Sequence, residues 1–206
     1  MSFELWLAFA IASAVLVAIP GPTVMLVVSY ALGRGRATAW ATAPGVALGD
    51  ITAVTLSLAG AGAVLAASAT LFTFLKLGGA LYLIWLGIQL WRAGGRPDPA
   101  IGVAAGSGQM FRDAFVVTAL NPKGIVFFIA FVPQFIDPAA PALPQFALLG
   151  ATFVSLGFVN AVLWALLAGT LRQRLANPAA IRLISRLGGG VLVGAGLLTA
   201  VARRAS

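Results

Sequence analysis

Apolar residues run without a charge from Leu5 to Gly33. That is more than the roughly 20 residues needed to cross a hydrocarbon core of about 30 Å at about 1.5 Å of helical rise each. The run predicts a first membrane span that is long and bent. Thr38 to Ala66, apolar apart from Asp50, and Leu71 to Trp91, apolar apart from Lys76, predict spans two and three. Between Arg92 and Arg112 the pattern dissolves into Gly94, Gly95, Pro97, Pro99, Gly102, Gly106 and Gly108, which predicts a flexible loop near the middle of the chain. Span four is expected from Asp113 to about Phe135 around Lys123, followed by a turn at Asp137, Pro138, Pro141 and Pro144. Span five is expected from about Gln145 to Leu171, then a basic loop from Arg172 to Arg186, then a short span six from Leu187 to Ala202. The runs are continuously apolar rather than alternating, so they predict helices and not a closed barrel.

Composition agrees with the pattern. Of 206 residues, 61% are hydrophobic and 9% charged, against about a quarter charged in soluble domains. The chain therefore reads as an all-α integral membrane protein. Thirteen Lys and Arg against five Asp and Glu give +8, yet long stretches carry no charge at all, so nucleic-acid binding is a poor account of the basic balance. There is no Cys and no His, which removes disulfides, thiolate catalysis and the commonest metal ligand. No metal or cofactor is expected, and with no Ser-His, Cys-His or paired-carboxylate constellation the chain does not read as an enzyme.

Orientation follows from the arginines. Nine lie in the loops after spans one, three and five: Arg34, Arg36, Arg92, Arg96, Arg112, Arg172, Arg174, Arg182 and Arg186. Only two, Arg203 and Arg204 in the tail, dissent. The bias predicts that those loops are cytoplasmic and both termini periplasmic. The only early charge is Glu4, which does not fit the basic start of a cleaved signal peptide, so the first span is expected to stay.

The two halves resemble each other. Setting Lys76-Leu77-Gly78-Gly79-Ala80 on Arg186-Leu187-Gly188-Gly189-Gly190 also sets Asp50 on Asn160. With three spans in each half, the second copy enters the membrane inverted, as in carriers that expose a central site alternately. The expected organisation is residues 1–91 as one three-helix repeat, 92–112 as a cytoplasmic linker, and 113–206 as the second repeat with a short periplasmic tail. Shared Gly-rich composition is the competing explanation.

Three features point to chemistry. Pro20-Gly21-Pro22 lies inside span one, where each proline removes a donor and displaces the carbonyl four residues earlier, here Leu16 and Ala18. The helix that restarts there, near Thr23, offers free N–H groups to a carboxylate, whereas a kink that only shapes packing is the plainer reading. Asp50 falls near mid-membrane, where a carboxylate costs a few kcal/mol or more unless it is paired or neutralised. It could exchange a proton for an ammonium group, or simply pair with Lys76 or Lys123. Gly45 and Gly49, one turn apart, would permit a close helix contact. Asn121-Pro122-Lys123 repeats the break in span four, freeing the carbonyl of Thr118 and placing an amide and an ammonium inside the span; the alternative is that Lys123 snorkels to the interface. Trp6, Trp40, Trp85, Trp91 and Trp164 read as an interfacial belt without chemistry.

In order and spacing, Ile19-Pro20-Gly21-Pro22, Pro44-Gly45 through Leu48-Gly49-Asp50, Lys76 to Gly87, and Asn121-Pro122-Lys123 with Phe127-Phe128 and Phe131 to Phe135 resemble the LysE/RhtB family of bacterial lysine and homoserine/threonine exporters. The resemblance runs over nearly the whole chain. It implies a six-helix inner-membrane exporter of amino acids or related amines, coupled to protons and often dimeric. It transfers importance to Pro20, Gly21, Pro22, Asp50, Asn121, Pro122 and Lys123, without assigning roles.

Together these readings predict a midplane cavity between the broken first and fourth spans. Asp50 would exchange ammonium and proton, and the backbone from Pro20 to Thr23, with Asn121 and Lys123, would receive a carboxylate. The rival readings are an inorganic-cation carrier using the carbonyls of Leu16, Ala18 and Thr118 with Asp50, and a membrane accessory protein that transports nothing.

Overall fold

A computed structural model describes residues 1–67, 106–137 and 139–170, with isolated helical positions such as Phe74, Leu81, Trp85, Arg186 and Leu197. The expected spans three and six, Lys76, and the loop residues 92–105 and 171–185 fall wholly or mainly outside them. The regular elements among the described residues are all helical, without a strand.

The first apolar run folds as two helices, α1 (Phe3–Ala18) and α2 (Pro22–Arg34), bent by 52° across a short break. Ser2 caps α1, its hydroxyl accepting from the amide of Leu5. Gly21 stands at the N-cap of α2 and Pro22 at its first position, where the missing N–H costs nothing. A short 3-10 turn at Arg36–Thr38 leads into α3 (Ala39–Ala67), which contains Pro44 in its early turns. α4 (Ser107–Ala119) starts upstream of the Asp113 expected from composition, because Gly106 ends the irregular stretch and Met110 and Ala114 give the helix a buried face. After the break at Asn121 come α5 (Pro122–Val126), a π-helical turn at Phe127–Phe131 and a 3-10 turn at Val132–Phe135. α6 (Ala142–Thr170) is unbroken, with Pro144 in its first turn. By length and composition, three of these segments can cross a membrane, and the bent pair α1 and α2 makes a fourth candidate.

α3 packs most extensively on α4 and next on α6. The first contact depends on glycine: a methyl group at Gly45 would overlap the carbonyl of Phe111, and one at Gly49 would stand 2.7 Å from the Thr118 side chain and 2.8 Å from the Phe115 carbonyl. The close approach expected at Gly45 and Gly49 is thus made to α4.

The interior divides by side-chain size. One cluster is aromatic, with Phe9, Phe127, Phe128, Phe135 and Phe153 buried and Phe131 against them. Its closest ring pairs are Phe128 with Phe153, 4.6 Å between centroids, and Phe127 with Phe131, 4.9 Å. The other is built of small residues, among them Val24, Val27, Val28, Ala31, Ala43, Val46, Ala114, Ala161 and Ala165. Beyond it, the hydroxyl of the buried Tyr30 donates to Asp113 Oδ2 at 2.7 Å.

Candidate functional site

Between the two clusters lies a narrow cavity of about 40 Å³. Phe153 and Leu16 line it from the aromatic side, and Val24, Val27, Val46 and Ala161 from the other. Its polar wall is made by Thr23, Asp50, Thr118, Asn121, Lys123 and Asn160. A buried water needs roughly 10–15 Å³ of such volume, so the cavity in this state admits a few waters and no amino acid. A larger groove of about 800 Å³ between α3 and α6 is lined by residues such as Ile51, Leu58, Phe146 and Val154 and, among the described residues, by no charged side chain. The chemistry therefore belongs to the smaller cavity.

The break in the first span is closed by side chains from the second half of the chain. Lys123 donates from Nζ to the carbonyl of Leu16 at 3.0 Å and to that of Ile19 at 2.9 Å. Asn160 donates from Nδ2 to the carbonyl of Val17 at 2.9 Å. These side chains supply donors to carbonyls at the C-terminal end of α1 and its cap, where the helix ladder runs out; the Leu16 carbonyl also accepts from the Ile19 amide at 3.3 Å. A cation at a helix C-terminus also complements the negative end of the helix dipole. Lys123 is buried and held at the break, so it does not snorkel to the interface. A methyl group at Gly21 would stand only 3.4 Å from its Nζ, which shows how closely the ammonium follows the broken backbone.

The second break is organised by Asn121. Its Oδ1 accepts from the Lys123 amide at 3.1 Å and caps α5, while its Nδ2 donates to Thr23 Oγ1 at 3.1 Å. Thr23 and Thr118 share a hydrogen bond between hydroxyls at 3.2 Å. One polar chain thus joins both breaks. The Thr118 carbonyl expected to be free is not: the Asn121 amide turns back and donates to it at 3.0 Å. With the Leu16 carbonyl also engaged, two of the three carbonyls of the inorganic-cation reading are already hydrogen-bonded.

Asp50 is buried in α3 and lines the same cavity as Lys123. Among the described residues it makes no ion pair within 4.0 Å, so the alternative of a pair with Lys123 is not formed; Lys76 lies outside the described residues. Its carboxylate faces Gly157 of α6, where a methyl group would overlap Oδ2. At the restart of the first span, the N–H groups of Thr23 and Val24 have no acceptor within α2, since its ladder begins with the Met25 amide on the Gly21 carbonyl at 2.9 Å.

Of the residues singled out in the sequence, Thr23, Asp50, Asn121 and Lys123 line the cavity, and Pro20, Gly21, Pro22 and Pro122 form the two breaks beside it. Gly157 and Trp164 were not anticipated as cavity residues, and Trp164 lines the cavity instead of sitting only in an interfacial belt. Asn160 was visible only as the repeat partner of Asp50.

A family model described as "LysE type translocator" matches residues 14–203. Over 206 residues, the full length of both chains, the protein is 34% identical to a homoserine/homoserine lactone efflux protein of Salmonella typhimurium. It is 34% identical over 205 residues to an uncharacterized membrane protein of Vibrio cholerae, covering 98% of this chain and 100% of that one. A leucine efflux protein of an Enterobacter species is 33% identical over 147 residues, 70% of each chain. No solved structure matches.

Proposed function

The chain belongs to the LysE type translocator family of multi-pass membrane proteins, and from that membership we propose that it exports amino acids or related small amines across the bacterial inner membrane. The observation that carries the reading is the cavity joining both helix breaks, with the carboxylate of Asp50 in its wall and no ion pair within 4.0 Å among the described residues. The homoserine and leucine efflux proteins among its relatives support small amino acids as the substrate class. The carrier is a secondary transporter, not an enzyme. Asp50 receives the substrate ammonium, and the amides of Thr23 and Val24 with Asn121 receive the carboxylate. Protonation of Asp50 from outside weakens the ammonium contact and releases the substrate, which couples export to the proton gradient.

The architecture we propose is six transmembrane helices in two inverted three-helix repeats. Two features support it: each half begins with a broken span that restarts at a first-position proline, Pro22 or Pro122, and continues with an unbroken helix of 29 residues. Both termini are assigned to the periplasm, and a homodimer is the assembly expected. Counterflow in proteoliposomes across a panel of amino acids tests the function. Exchange of homoserine, threonine or leucine supports it, and no exchange with any amino acid overturns it.

A further inference from the structure

The ammonium of Lys123 occupies a place chemically suited to a substrate. Two backbone carbonyls, Leu16 and Ile19, accept from it at 3.0 and 2.9 Å at the negative end of α1, and the cavity beside it carries the Asp50 carboxylate. A primary ammonium has three donors, and two of those on Lys123 are committed to these carbonyls. The amine of an amino acid carries the same group. A cavity of about 40 Å³ beside the lysine head holds a few waters and not a whole amino acid, so a substrate whose amine reaches these carbonyls needs the space the lysine side chain fills.

We infer that the carbonyls of Leu16 and Ile19 form an ammonium-binding cradle that Lys123 fills in the empty carrier and that the amine of the substrate takes over when it binds. Lys123 is then a tethered substitute for the cargo. The exchange keeps every charge partnered: the incoming ammonium takes the carbonyls beside Asp50, and the displaced Lys123 meets the incoming carboxylate. The consequence is positional. While Lys123 sits in the cradle, it ties the break of the first span to α5 of the second half, and binding of cargo releases that tie.

The inference rests on the reading of an exported amine and fails separately from it. The probe is n-butylammonium, which copies the lysine side chain from Cβ outward, compared with tetramethylammonium, which has no N–H donor, and butyrate, which has no ammonium. In the purified Lys123→Ala protein in lipid nanodiscs, n-butylammonium at about a hundredfold its Kd should raise the unfolding midpoint by about 5 °C. It should raise the native protein much less, and tetramethylammonium should raise neither. In proteoliposomes of the native protein, n-butylammonium should compete with amino-acid counterflow, and butyrate should not. Equal shifts in native and variant protein, or inhibition by butyrate and not by n-butylammonium, overturn the cradle. If Lys123→Ala does not fold, the competition on native protein decides alone. If the native protein exchanges no amino acid while the variant is rescued selectively, the cradle stands and the export reading falls.

Discussion

The carboxylate of Asp50 lies directly against the α-carbon of Gly157, and a single methyl group there would overlap it. The two residues come from different helices, so the position of the acid is fixed by how closely α6 approaches α3. Gly157→Ala should displace the carboxylate and reduce counterflow by roughly tenfold or more, with an overpacking cost of about 1–3 kcal/mol. Gly60→Ala, on α3 with no atom of the described residues within 4 Å of the added methyl, serves as the control and should leave transport unchanged. Equal rates in both variants would show that the acid does not need this placement.

Asp50→Asn keeps the shape of the side chain and removes its ability to ionise. Since Asp50 makes no ion pair within 4.0 Å among the described residues, little stability should be lost. Proton-driven export should disappear, and any residual counterflow should no longer vary between about pH 5 and 8. Transport that keeps its pH dependence would remove Asp50 from proton coupling. A large drop in the unfolding midpoint would instead mark it as structural.

Replacing Pro20 and Pro22 together with Ala offers the backbone a way to continue α1 straight into α2. A helical amide at position 20 would claim the Leu16 carbonyl that Lys123 now holds. The variant should be at least as stable as the native protein, and its thermal stabilisation by homoserine or leucine should be lost. Pro122→Ala should act in the same direction, whereas Pro144→Ala in the first turn of α6 should have little effect. Undiminished ligand shifts in both the Pro20/Pro22 and Pro122 variants would place the site away from the breaks.

Asn160→Leu removes the donor to the Val17 carbonyl while keeping the volume similar. Leaving a buried carbonyl unpaired costs about 1–3 kcal/mol. The expected result is a lower unfolding midpoint together with weaker substrate binding, because the same residue lines the cavity. A midpoint equal to that of native protein would mean that water replaces the amide.

Topology is tested by Cys in place of Ser107, the exposed first residue of α4. With the arginine-rich loops inside the cell, this thiol should resist impermeant reagents in intact cells and react after permeabilisation. Ready labelling in intact cells would invert the assignment.

Much of this arrangement was legible before any coordinates, for definite reasons. Prolines inside an apolar run have few uses, so Pro20, Pro22 and Pro122 announced the breaks, and Asp50 stood out because charge is costly in hydrocarbon. What could not be read was interhelical register. Gly157 is one of several glycines in α6, and nothing local separates it from Gly150 or Gly169; only the rotation of α6 against α3 turns it toward Asp50. Lys123 was recognised, but its partners were not, because the carbonyls it serves are more than a hundred positions away and carry no side-chain signature. The Thr118 carbonyl was misjudged because the tight turn at Asn121 supplies a donor that proline spacing does not reveal.

The unequal size of the side chains on the two sides of the cavity sets a mechanical bias. Interlocked phenylalanine rings, such as Phe128 against Phe153 at 4.6 Å, must change rotamer in concert before the helices carrying them can part. Alanines and valines present shallow surfaces, and helices that meet through Ala31, Ala43, Ala114 and Ala165 can slide past one another with little repacking. Opening toward the Tyr30 and Asp113 end therefore needs a shear, and opening toward the aromatic end needs the dismantling of a stack. The cavity thus has a supple wall of alanines and valines and a stiff wall of stacked phenylalanines, and the aromatic side is the more costly one to open.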